Sequence, residues 1–194
     1  MEIGATKAVQ DRLKTTKIEE SKGASLVFCW DTHLTKIKGR NVLFIVNASN
    51  RYTIAMTDIE PRNWNYYTMY IRSVIHGVMQ EMGYSDEQIG QYFKMSVDTT
   101  VTKTHGRKSV GGINRMVMDA QYFGKKLEKE AKYQWELNEY LNRDICQPEG
   151  FDAYGYPSEL FKLDMERLGI ISKRKPAKII DFTKYIDTNR STNH

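Results

Sequence analysis

The spacing of apolar residues changes period once along the chain, near Asn63, and that change constrains the fold more than any other feature. Before it lie four short β-branched or aromatic runs, Ser25–Trp30, His33–Ile37, Val42–Val46 and Tyr52–Met56, separated by turn-forming residues at 38–41 and 47–50. After it, Ile71, Val74, Ile75, Val78, Met79 and Met82 recur at helical spacing, with Gly83 placed to end the helix. Ser85 followed by Gln88 forms the capping-box pattern for a second helix carrying Ile89, Tyr92 and Phe93. Strands followed by helices predict an α+β fold, here an antiparallel meander of about four strands packed against helices. Residues 3–20 pass from a short apolar start into a charged helical stretch, and threonine-rich Val97–Thr104 suits a further strand. Ser109 is then expected to cap a long helix with an inward stripe of Ile113, Met116, Val117, Ala120, Phe123, Leu127 and Ala131, continuing through Trp135 and Leu141. The segment from Pro148 to Pro157 stops it, and residues 158–168 form a last short helix.

A chain of 194 residues, 40% of them hydrophobic, can bury one sizeable core. The organisation expected is one α+β domain over residues 1–171 and a basic, loosely ordered tail over 172–194. The tail holds six bases against two acids, so all but one unit of the net charge of +5 belongs to it. A broad nucleic-acid surface on the domain is thereby disfavoured, and any such binding is local. Two cysteines far apart, no secretory h-region and no apolar run long enough to span a bilayer predict a soluble, cytoplasmic protein without membrane contact.

The densest chemistry lies in Val101–Arg115, where Lys103, Arg107, Lys108 and Arg115 surround His105 and no acid falls between Asp98 and Asp119. Basic side chains at a helix start add to the unpaired N–H groups and the positive end of the helix dipole, so a phosphate is the expected guest. Cleavage of RNA without metal needs a base for the 2′-OH, an acid for the leaving oxygen and cations for the developing charge. His33 or Asp31, together with His105, supplies the first two roles if the groups are neighbours in space, with Lys103 and Arg107 as the cations. For each histidine alone, a hydrogen-bonded structural role is the alternative. Lys108, Arg115, Arg51, Tyr52 and Trp64 complete the candidate nucleic-acid contacts, the aromatic residues by stacking on bases. Cys29, Asp31 and His33 alternate on one strand face, but no paired ligand spacing appears, so neither metal nor cofactor is expected.

Three blocks carry a family likeness: Ile3–Lys7; Phe28–Trp30 with Val42–Asn47 and Asn50–Tyr52; and Thr102–Asn114. Over roughly residues 1–125 the chain resembles an uncharacterised family of small bacterial, plasmid and phage proteins. That family usually shows Trp-His-Ala where this chain has Trp30-Asp31-Thr32, and an aspartate near His105-Gly106. In size and setting the chain is also similar to broad-spectrum anti-CRISPR proteins of Gram-positive plasmids, some of which act on guide RNA. The resemblance implies a mobile-element setting; with the basic loop, the histidines and the aromatic residues it leads to an RNA-directed protein, in its sharpest form a metal-independent ribonuclease acting on guide RNA as an anti-defence factor. The alternatives are a non-catalytic inhibitor that binds protein or nucleic acid, and an antitoxin-like interaction module. The partner is then RNA or a host-defence protein, and the oligomeric state is open.

Overall fold

In the computed structural model, residues 1–14, 18–96 and 98–172 are described; nearly all of the expected tail lies outside them. The sheet is built around one hairpin. Strand β2 (Cys29–Ile37) pairs antiparallel with β3 (Arg40–Asn47) from Trp30↔Asn47 to Ile37↔Arg40. Only Lys38 and Gly39 are left to turn the chain, at φ 49° and 83°. Positive φ at both positions matches the turn to the right-handed twist of the strands. β4 (Thr53–Thr57) continues the meander beside β3.

Here the expected sheet needs two corrections. Ser25–Trp30 and His33–Ile37 are not two strands: Leu26–Phe28 forms a single 3₁₀ turn and Cys29–Ile37 runs unbroken, because Asp31 and Thr32 are buried and paired rather than turning. The sheet is also mixed. β1 (Glu2–Ala5) lies parallel to β2, and β5 (Thr100–Thr102) parallel to β1, giving the order β4-β3-β2-β1-β5. The α+β class stands, with only β2, β3 and β4 forming a meander.

Alternation along the strands gives the sheet two apolar faces. On one, Ile3, Trp30, Leu43, Ile45 and Ile54 pack with α3 (Tyr67–Glu81), α4 (Asp86–Met95) and α7 (Pro157–Arg167). Two short helices, α1 (Lys7–Leu13) and α2 (Pro61–Asn65), complete this side, with Val9 and Trp64 against the same core. On the other face Ile37, Val42, Phe44, Val46 and Ala55 meet α5 (Gly106–Tyr122) and α6 (Trp135–Asn142). The capping box forms as expected, Ser85 Oγ accepting from Gln88 N at 3.3 Å and Gln88 Oε1 from Ser85 N at 2.9 Å.

The long helix does not run to Leu141. It stops at Tyr122, and although Phe123 and Leu127 stay buried in the same core, the chain between the helices serves the sheet edge instead. Thr57 N donates to Lys132 O at 2.8 Å and Gln134 N to Ala55 O at 3.2 Å. From α6, Asn138 Oδ1 accepts from Ala55 N at 2.6 Å and Asn142 Oδ1 from Thr53 N at 2.8 Å. The match is geometric: four helical residues rise about 6 Å and two strand residues about 6.8 Å, so amides one turn apart meet alternate edge groups. An exposed edge that would template pairing with another chain is thereby covered.

Candidate functional site

The parallel pairing of β1, β2 and β5 sets Glu2 beside Cys29 and Thr100, and Gly4 beside Asp31 and Thr102. These residues occupy the end of the sheet face that lies under the start of α5. Gly4 makes the site possible, because a Cβ there would stand 1.8 Å from Asp31 Oδ1 and 3.0 Å from the Thr104 Cα. The space it leaves holds the Asp31 carboxylate, which is fully buried.

Asp31 accepts the His105 backbone N–H at 3.1–3.2 Å, is bonded to His105 Nδ1 at 2.7 Å, and accepts the Ser109 hydroxyl. The other ring nitrogen, Nε2, lies 2.9 Å from Glu2 Oε2, while Glu2 Oε1 accepts the Lys22 backbone N–H at 2.8 Å. His105 is therefore an imidazole clamped between two carboxylates, with its side chain only 3% exposed. Burial alone would lower its pKa, but the hydrogen bonds to Asp31 and Cys29 and the charge of Asp31 outweigh that and hold it at about 10. The ring is a cation at neutral pH. For Glu2, burial pushes upward, and hydrogen bonds from Ser21, His105 and the Lys22 N–H overcome it, leaving the carboxyl below its ordinary range.

The anion at the positive end of α5 is thus supplied by the chain itself. The helix begins at Gly106, three residues before the expected cap, and Ser109 sits one turn inside it with its hydroxyl on Asp31. With both ring nitrogens donating to carboxylates, His105 has neither a free lone pair to accept a substrate proton nor an open path to deliver one. The donor atoms of Glu2, Cys29 and His105 lie within 4.8 Å of one another, a set able to hold a metal ion. Binding one there requires displacing the imidazolium proton. The alternating set Cys29, Asp31 and His33 shares the face, but the nearby donors come from β1 and α5.

His33 keeps different company. Its Nδ1 pairs with Thr6 Oγ1 at 3.0 Å, and burial lowers its pKa, so it is neutral at pH 7. Lys103 pairs with Glu20, Lys108 lies 4.0 Å from Glu149, and Arg115 is 2.9 Å from Asp119 on its own helix. Arg107 is exposed on the first turn of α5 with no ion-pair partner among the described residues. Arg51 passes under Gly112, its Nε 3.1 Å from where a Cβ would stand. Tyr52 and Trp64 belong to the opposite side of the sheet, Tyr52 buried against Phe161 and Trp64 stacked on Tyr67 with ring centroids 5.5 Å apart. The basic loop and these two aromatics do not form one surface.

A family model described as a domain of unknown function, DUF6933, matches residues 2–160. The chain belongs to that family. The DUF6933 match runs from β1 into α7 and so takes in every residue of the clamp, extending well past residue 125, where the sequence likeness ends. No curated protein and no solved structure matches the chain. Asp31, which stands where the likeness noted above usually has histidine, touches His105, so the acid lies on the strand and the base on the helix. Glu2 and Gly4 were not among the expected site residues, although Gly4 lies within the Ile3–Lys7 block. The available signal was a lone glycine between Ile3 and Ala5 in an apolar start, which marks a close approach within a strand.

Proposed function

We propose that the protein binds RNA through the exposed basic residues around the start of α5, without using His105 for proton transfer. The carrying observation is the division of charge at that point. Asp31, His105 and Glu2 are tied together inside, while Arg107 stands free of acidic partners among the described residues on the turn they anchor. Lys103 and Lys108 flank it, paired only with the half- to fully exposed Glu20 and Glu149. Such surface pairs are worth about 0–1 kcal/mol, so a phosphate displaces them at little cost. The tail adds sequence-level positive charge. Action on guide RNA as an anti-defence factor of a mobile element is the narrowest form of this reading and rests on the sequence resemblance alone. If cleavage occurs, His33 is the better candidate base, because its ring is neutral at pH 7.

Fluorescence anisotropy with structured RNAs, a guide RNA among them, with and without chelator, tests both forms. Binding is expected at low salt with the RNA intact, and K103A/R107A/K108A should flatten the salt dependence by about one log–log unit for each phosphate-bound cation removed. No binding at low salt, or an unchanged slope in the folded triple variant, overturns the proposal. Discrete products that survive chelation, persist in His105→Asn and vanish in His33→Ala would replace binding by cleavage.

A further inference from the structure

Between α3 and α6, beside β4, two adjoining hollows share Glu81, Tyr133 and Trp135. The larger, about 480 Å³, also takes in Tyr52, and the smaller, about 240 Å³, is floored by Met56, Val74 and Val78. Together they have the size of a small-molecule site. Trp135 is 48% exposed although it is the largest apolar side chain at the rim. Its ring meets that of Tyr133 at 68°, with centroids 4.5 Å apart, so the two aromatic faces form a corner, and the Tyr52 hydroxyl lies beside that of Tyr133 on a third side.

The charge around this corner is negative. Glu136 is paired with Lys125 at 2.7 Å and Glu139 with Arg143 at 2.5 Å. Glu81, which lies close enough to Tyr133 to raise its pKa, has no ion-pair partner among the described residues. Aromatic faces carry a negative quadrupole and attract cations, and an unpaired carboxylate adds to the same field. A phosphate or carboxylate would meet repulsion at both. The hollow therefore selects against the ligand class assigned to the start of α5.

We propose that this pocket binds a small aliphatic ammonium ion, the charged head between Tyr133, Trp135 and Glu81 and the apolar tail along Met56, Val74 and Val78. The full chain is titrated with hexylammonium, 1-hexanol and hexanoate, which share a tail and differ in charge, while the Trp135 indole N–H is followed by NMR. Hexylammonium should shift that resonance and bind about tenfold more tightly than hexanol, with hexanoate weaker still. Glu81→Gln and Trp135→Ala should each weaken the ammonium about fivefold or more at unchanged Tm, with Trp135→Phe retaining part of the affinity. Equal binding of hexanol and hexylammonium overturns the proposal, as does absence of any Trp135 shift at about 10 mM, where even millimolar binders register. Binding of a lysine-containing peptide without binding of hexylammonium overturns it too, and shows a protein-docking site instead.

Discussion

Replacing Asp31 by Asn keeps the shape of the side chain and removes its charge. In the native protein the Asp31 carboxylate serves three donors, the His105 backbone N–H, His105 Nδ1 and the Ser109 hydroxyl, all at a fully buried position. The amide can still accept from two of them, but it leaves a buried imidazolium with Glu2 as its only counter-charge. Breaking one side of a buried ion pair costs about 3–5 kcal/mol, and for a domain of this size each kcal/mol lowers Tm by roughly 2–4 °C. A fall of roughly 10 °C at pH 7 is expected. The pH dependence carries a second signature. His105 has its folded pKa raised to about 10 from an ordinary 6.5, so its stabilisation is complete below about pH 6.5 and is lost as pH rises toward 10. Glu2 works in the opposite sense, its lowered pKa giving stability above the unfolded carboxyl range that is lost on acidification. Urea denaturation of the wild type, Asp31→Asn, His105→Asn and the double variant, measured from about pH 5 to 9, gives both quantities. The single variants should flatten the alkaline limb, and the double-mutant cycle should show coupling of about 2 kcal/mol or more. Loss of less than about 0.5 kcal/mol in Asp31→Asn, with an unchanged alkaline limb, would mean that no buried ion pair links Asp31 to His105.

Three further substitutions test the framework around the clamp. Gly4→Ala places a methyl 1.8 Å from Asp31 Oδ1 and should cost about as much as Asp31→Asn, read by thermal melting, although it changes no charge. Asn142→Ala removes the acceptor for Thr53 N and a donor to Thr53 O, so a loss of about 1–3 kcal/mol is expected, together with faster hydrogen exchange at Thr53. The Tyr70 hydroxyl is buried without a partner among the described residues, so Tyr70→Phe should leave Tm unchanged or raise it, by up to about 1 kcal/mol of stability.

What could be read from the sequence was what is local in the chain. The Ser85–Gln88 box, the α3 stripe and the helix near residues 158–168 each depend on contacts within one or two turns, and all three appear. The two shortest strands were legible unequally: the threonine-rich run Val97–Thr104 marks β5, and nothing local marks β1. β1 and β5 pair in parallel with residues far away, and four and three residues are too few to display alternation. The end of α5 was hidden for a different reason: Phe123 and Leu127 keep the apolar spacing of the helix while the backbone leaves it to pair with β4. The sequence marks the start of α5 as a place for an anion, and the buried carboxylate held there by His105 and Ser109 is Asp31, 74 residues earlier in the chain than His105. Charge patterns show that a helix start wants a negative group, but only tertiary packing decides whether a ligand or a buried side chain supplies it.

¹⁵N NMR of the His105 ring nitrogens reads out whether this side chain is a buried imidazolium held between Asp31 and Glu2. At pH 8 both nitrogens should carry protons with imidazolium shifts, and deprotonation should begin only as pH nears 10. A ring that titrates near 6.5, with one bare nitrogen at pH 8, would contradict the account and return His105 to the list of possible general bases.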